Sequence, residues 1–289
     1  MGMMLKTKQL ADQLADSIKL QVTEWKERGI QPAMCTILVK GDPASEYYAK
    51  VKEKLARKLG IAFHLLTFDD DVTERRLLEE IDKLNSDSDV HGIMLELPVP
   101  KHISVQKLSD DIFPLKDVDG ISSANKLACM TGGKGLFPAT PQSCIRILQH
   151  FGFPLRGSNV TLIGRGETVG RPLMHLLLRE NATLTICHSH TKDLSAHIAK
   201  SEILISAAGK AGLVTCDMVH PELVVIDAGI NDTGSGITGD VSPEVFDAVK
   251  AMTPVPGGVG TLTSVILFEN LMKAMVLQKD GEVNKHGGV

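Results

Sequence analysis

The stretch SEYYAKVK, residues 45 to 52, holds both tyrosines of the chain, with Lys52 four residues after Tyr48. On a helix turning about 100° per residue, Lys52 lies one turn beyond Tyr48 and two beyond Ser45. Tyr48, Val51, Leu55 and Leu59 form an apolar arc with Tyr47 near its edge. Glu46, Lys50, Glu53, Lys54, Arg57 and Lys58 take the opposite side. Lys52 falls inside the arc, between Leu59 and Ala56. A lysine so placed either snorkels along its stem to water or points into a cleft. In a cleft, lost hydration favours the neutral amine and opens it to proton transfer, with Tyr48 orienting the amine or a substrate by hydrogen bonding. Helix geometry alone leaves both readings open.

A second constellation lies more than a hundred residues on. VTLIGRGETVGRPL sets Gly164, Gly166 and Gly170 directly after an apolar strand and at the start of a helix. Backbone amides at such a helix start face a pyrophosphate, and missing β-carbons allow close approach. The next strand ends in TICHS, without the Asp or Glu that holds a ribose 2′-OH in NAD-specific folds. Arg165, His188 and Ser189 stand there instead and suit a 2′-phosphate, the guanidinium as main charge partner. NADP is therefore expected rather than NAD. The plain alternative is a structural glycine turn beside surface Arg and His. The Tyr48–Lys52 spacing, YxxxK, is also the signature of short-chain dehydrogenases. In that family, however, the glycine fingerprint opens the chain and precedes YxxxK.

These residues need elements to hold them. Residues 7 to 29 carry apolar positions at helical spacing, CTILVKGD reads as a buried strand closed by a turn, and a helix runs from about Ala44 to Leu59. IAFHLLTF, TERRLLEEIDKLN and HGIMLELPVP continue as strand, helix and strand. After the Gly-rich TGGKGLFPATP, a helix from about Pro141 to His150 leads into the strands NVTLIG, ATLTICHS, SEILISAAG and LVVIDAGIN. VGRPLMHLLLREN is a helix among them. This alternation predicts a two-domain α/β chain with mainly parallel sheets. The domains are expected at residues 1–139, an N-terminal α/β catalytic domain, and 140–271, a C-terminal Rossmann-type NADP-binding domain. A last helix from about Thr261 to Val276 is expected, and the segment 272–289 is expected to pack back on the first domain. The tail KDGEVNKHGGV is read as frayed.

A net charge of −4 over 289 residues, with no dense run of Lys or Arg, argues against a nucleic-acid partner. Five widely spaced cysteines without a CxxC pair argue against a disulfide framework and a zinc knuckle, so no metal is expected. The opening MGMMLKTKQLADQLADSIKL turns charged and amphipathic without an apolar signal core. A cytoplasmic chain acting on small molecules, with no membrane partner, is expected.

Taken together, GDPASEYYAKVKEKLARKLGI, GIMLELPVP, LKDVDGISSAN, FPATP, GRGETVGRPL, CHSHT, VVIDAGIN, GDV and TPVPGGVGTLT resemble the bifunctional methylenetetrahydrofolate dehydrogenase/cyclohydrolase (FolD) family, in order and across nearly the whole chain. The resemblance implies a homodimer with a folate cleft between the domains and NADP on the second. It matches Lys52 to the catalytic lysine, Tyr48 to the tyrosine stacking on the folate, and Asp119 to the aspartate holding the pterin. A carboxylate suits that task because it accepts from the pterin 2-amino group and its neighbouring N–H. Without the resemblance, Asp119 reads as an Asp-Gly turn residue. Gly257 and Gly258 match a loop bordering the folate, stiffened by Pro254 and Pro256, and Ile230 matches a position at the nicotinamide end of NADP. The implied chemistry is hydride loss from 5,10-methylenetetrahydrofolate to NADP, then hydrolysis of the methenyl product to 10-formyltetrahydrofolate with Lys52 moving protons.

Four positions depart from the family pattern. Glu96 stands where a glutamine normally hydrogen-bonds the lysine, and its carboxylate favours ammonium over amine. Weak or absent cyclohydrolase activity is therefore expected. Gly166 replaces a serine, Thr261 a proline and Ala139 a common cysteine. A relative that binds folate without turnover is the competing expectation, and a short-chain dehydrogenase a further one.

Overall fold

The computed structural model describes residues 2–234 and 236–286, side chains of 281–286 excepted. In chain order its elements are β1 (Met3–Met4), α1 (Lys8–Glu27), β2 (Ala33–Val39), α2 (Pro43–Leu59), β3 (Ala62–Phe68), α3 (Glu74–Ser86) and β4 (Gly92–Leu95). There follow α4 (Val105–Asp111), α5 (Ser123–Thr131), α6 (Ala139–His150), β5 (Asn159–Ile163), α7 (Gly170–Arg179), β6 (Thr183–Cys187), α8 (Leu194–Ile198) and β7 (Ile203–Ser206). β8 (Val224–Asp227), β9 (Asn231–Asp232), β10 (Ile237–Thr238), β11 (Ala251–Met252) and α9 (Val259–His286) complete the chain.

The chain divides into two compact units. One takes residues through Asp12 together with Pro138–Thr263, and the other takes Gln13–Phe137 and the chain from Ser264 onward. The Gln13–Phe137 unit is built on a parallel three-stranded sheet, β3-β2-β4. Its central strand, β2, is buried at all seven positions, as a parallel strand covered on both faces must be. Cys35, Ile37 and Val39 pack with Leu77, Ile81 and Leu84 of α3 and with Ile93 and Leu95 of β4. α3 forms because Leu77, Ile81 and Leu84 share one face and the Thr73 hydroxyl accepts from the Arg76 N–H at its start.

The other unit carries a six-stranded parallel sheet ordered β1-β11-β8-β7-β5-β6. Reading inward from β6, the order reverses between β5 and β7, the switch point at which doubly wound sheets bind ligands. β9 and β10 form a separate antiparallel hairpin.

The expected boundaries at 139/140 and 271/272 need correction at both chain ends. Met3 and Met4 pair with Ala251 and Met252, so the first residues extend the larger sheet instead of opening the catalytic domain. Thr7 fixes them further, its hydroxyl donating to the Gly258 carbonyl at 2.8 Å. At the other end, α9 joins the smaller-sheet unit from Ser264. Asn270 there donates to the carbonyls of Val118 and Phe137, both at 2.8 Å, and Gln278 to those of His91 and Leu115. Contrary to the frayed-tail expectation, α9 runs to His286, and residues 287–289 lie outside the described residues.

Candidate active site

α2 is fixed at both ends by local chemistry. Asp42 caps its first turn by accepting the Ser45 N–H at 2.9 Å, Pro43 supplies a preset φ at the first helical position, and Gly60 closes it at φ +79°. The Ser45 hydroxyl lies 2.6 Å from Asp42 Oδ2 and 3.0 Å from the carbonyl oxygen of Leu97, joining the helix start to the segment after β4. The buried stripe is Ser45, Ala49, Ala56 and Leu59, and Lys52 falls in its middle. This differs from the arc through Tyr48, Val51 and Leu55, which are half-buried. Small residues let the helix approach closely where Lys52 enters.

Lys52 therefore does not snorkel to water. Its Nζ donates to Glu96 Oε1 at 2.6 Å and Oε2 at 2.8 Å, and only 14% of the lysine side chain and 5% of the glutamate remain exposed. Glu96 follows the last residue of β4 and is held by its N–H, which donates to the Ile37 carbonyl of β2 at 2.9 Å. The pair thus sits at the carboxyl ends of the parallel strands. Tyr48 is one helical turn before Lys52, its ring edge-on to Tyr47 with centroids 5.6 Å apart.

The KDVDG segment divides its work. Lys116 is buried and donates to the carbonyls of Leu84, Asn85 and Asp87 at 2.9, 2.8 and 2.7 Å, satisfying the carbonyls at the end of α3. Asp117 accepts from Ile121 and Ser122 N–H and from the Asn125 amide. Both residues shape the loop. Asp119 is the one left for the site: burial pushes its carboxyl up to about 7, opposed by the Lys52 ammonium and reinforced by Asp117 and Glu96. Gly120 follows at φ +64°, where a β-carbon would meet the Leu136 carbonyl oxygen at 2.6 Å. Tyr48, Lys52, Glu96 and Asp119 therefore belong to one unit, and the last three are electrostatically coupled.

The remaining candidates belong to the other unit. Ile163 of β5 pairs with Cys187 of β6, so Gly164 and Arg165 leave the sheet beside His188 and Ser189. Gly164 adopts φ +110°, and a β-carbon on it would collide with the Ala207 carbonyl; one on Gly170 would collide with that of Gly164. Gly166 has ordinary φ and open space around it, so no steric reason explains the missing serine. Arg165 and Ser189 are exposed. His188 spends Nδ1 on the His190 N–H at 3.2 Å, which leaves Nε2 as the atom to address a phosphate. Ile230 lies just beyond β8 and is 57% exposed. Gly257 (φ +105°) and Gly258 precede α9, where Gly258 packs against the Pro254 carbonyl. The absence of an acid after β6, the glycine turn and the start of a ten-residue helix together fit a dinucleotide with a 2′-phosphate.

Sequence reasoning passed over Ser45, Lys116, Asp117, Asp227 and Asp240 as functional residues. Their roles depend on burial among backbone donors and acceptors, which a linear pattern does not display.

Residues 5–119 match the tetrahydrofolate dehydrogenase/cyclohydrolase catalytic domain, and residues 138–279 match the NAD(P)-binding domain of the same family. The bifunctional protein FolD of Heliobacterium modesticaldum is 52% identical over 94% of this chain and 95% of its own length. The second FolD protein of Desulfitobacterium hafniense is 47% identical over 98% and 100%. Among solved structures, the FolD methylenetetrahydrofolate dehydrogenase/cyclohydrolase of Campylobacter jejuni superimposes with a TM-score of 0.93 at 35% identity, covering 96% of this chain and all of that one. The Trypanosoma brucei dehydrogenase-cyclohydrolase, complexed with NADP and an inhibitor, does so at 0.91 and 28% identity, covering 96% and 98%. With both domain models matched and relatives this similar along its length, the chain belongs to the tetrahydrofolate dehydrogenase/cyclohydrolase family.

Proposed function

We propose that this chain oxidises 5,10-methylenetetrahydrofolate to 5,10-methenyltetrahydrofolate with NADP, and that it hydrolyses the methenyl product slowly. The observation that carries the reading is the buried Lys52–Glu96 ion pair coupled to Asp119 at the carboxyl ends of the smaller sheet. NADP supplies the acceptor for the hydride that leaves the methylene carbon. Arg165, His188 and Ser189 hold its 2′-phosphate, the Gly164–Gly170 turn receives its pyrophosphate, and Ile230 borders its nicotinamide end.

On the folate side, Tyr48 stacks on the pterin and aminobenzoyl part, and Asp119 accepts hydrogen bonds from the pterin. Oxidation needs alignment of the two rings and no proton transfer, so Glu96 leaves it intact. Hydrolysis differs. Water adds to the methenyl carbon, one ring nitrogen is released, and protons must move; Lys52 is the group to move them, and both Glu96 carboxylate oxygens are set against its Nζ. We also take the chain to be a homodimer, from its family, and light scattering in solution tests the stoichiometry.

The test is absorbance of a reaction of methylenetetrahydrofolate with saturating NADP. NADPH must form at an enzymatic rate. No hydride transfer would instead support a folate-binding relative without turnover, and turnover of simple ketones a short-chain dehydrogenase.

A further inference from the structure

Two buried carboxylates in the larger-sheet unit lie outside the chemistry above. Asp227 ends β8 and is 1% exposed; Asp240 follows the β9–β10 hairpin and is fully buried. Asp240 fills a nest of three successive backbone amides, accepting from Ala208, Gly209 and Lys210 N–H at 2.6, 3.3 and 2.9 Å. It also accepts from the Ser206 hydroxyl at 2.9 Å and the Asn231 amide at 3.0 Å. Asp227 in turn accepts from Gly229, Asp240 and Val241 N–H at 3.0, 3.0 and 2.9 Å. Its own N–H donates to the Thr253 hydroxyl at 2.8 Å. Gly229 and Gly239 make this possible, because a β-carbon on either would collide with the facing carboxylate.

The segments tied together are those that leave the sheet beside the switch point. The loop after β7 packs its Ala207 carbonyl against Gly164, and the loop after β8 carries Ile230 between Gly229 and Asn231. Because Asp240 occupies the amide nest, those three N–H groups are not available to a phosphate. Their work is to set the position of the loop before any ligand arrives.

We propose that Asp240, braced by Asp227, is a positioning residue for the nicotinamide end of NADP: it fixes the loops after β7 and β8 without touching the cofactor. This rests on the NADP reading above. It separates two halves of one binding site, since the 2′-phosphate groups at Arg165, His188 and Ser189 make none of the described bonds to either carboxylate.

The test compares two ligands on the intact protein and on Asp240→Asn, by direct titration. The first is NADPH, and the second is 2′,5′-ADP, which carries the 2′-phosphate half without nicotinamide. Asp240→Asn places an amide where three N–H donors and a hydroxyl need acceptors. NADPH affinity should fall at least 5-fold while 2′,5′-ADP affinity changes less than 2-fold, and kcat for hydride transfer should fall at least 10-fold. Equal losses for both ligands, or no loss in a folded variant, would overturn the proposal. Should Asp240→Asn give no thermal transition, Ser206→Ala removes one donor and keeps the charge. It should shift the same ratio by about 2- to 3-fold, and an unchanged ratio would count against the proposal. Failure of the parent protein to bind either ligand would instead remove the NADP reading on which the inference stands.

Discussion

Replacing Glu96 by glutamine is the sharpest perturbation of the site. The Lys52 ammonium lies 2.6 and 2.8 Å from the two carboxylate oxygens, with both side chains largely buried. Two unit charges about 4 Å apart at an effective dielectric constant of about 20 attract by ~4 kcal/mol. A hydrolytic step that carries positive charge away from the Lys52 Nζ gives up that attraction. An amide in the same place forfeits only a neutral hydrogen bond, worth about 1 kcal/mol. The remaining ~3 kcal/mol corresponds to about two powers of ten in the rate of such a step. Glu96→Gln should therefore speed methenyltetrahydrofolate hydrolysis on the order of 100-fold, followed by loss of methenyl absorbance without cofactor. NADP-dependent oxidation should change by less than about 3-fold. A parent that already hydrolyses as fast as it oxidises, with no gain in the variant, would refute the charge argument.

Asp119→Asn should alter both stability and binding. Burial lifts the Asp119 carboxyl to about 7, so the stability it confers is complete below about pH 4 and is lost as pH rises through 7. Thermal melts across pH 4–8 should show the variant gaining on the parent, by at most ~4 kcal/mol over about three pH units. The amide offers the pterin one acceptor instead of two, so KM for the folate should rise at least about 10-fold. Gly166→Ser has room for its β-carbon, and one added hydroxyl toward phosphate should lower KM for NADP by about 2- to 10-fold. Lys116→Met removes the ammonium shared by the Leu84, Asn85 and Asp87 carbonyls at the end of α3 and should cost about 2–4 kcal/mol in urea unfolding.

Strands with strong apolar runs were legible in the sequence: β2, β3, β4, β5, β6, β7 and β8 all fall where the patterns predict. β1 and β11 were not, because two-residue strands carry no periodicity and exist only through pairing, β1 with β11 and β11 with β8. The same holds for the affiliation of Thr7 and Ser264, which tertiary contacts decide. In α2 the apolar count points to Tyr48, Val51, Leu55 and Leu59; of these only Leu59 is buried, and the rest of the buried stripe is Ser45, Ala49 and Ala56. Small size, more than hydrophobicity, marks the part of that face around Lys52. The Lys52–Glu96 pairing was legible because the motif departs from its family at one position. The Asp227–Asp240 network was not, since neither carboxylate advertises the amides that surround it.

The most direct measurement follows NADPH and methenyltetrahydrofolate together in a single progress curve of the parent protein supplied with methylenetetrahydrofolate and NADP. The two should rise in near-equal amounts, with the methenyl species disappearing little faster than it hydrolyses without enzyme. NADPH accumulating while methenyltetrahydrofolate never appears would mean that Glu96 does not hold back hydrolysis, the result that contradicts the charge argument.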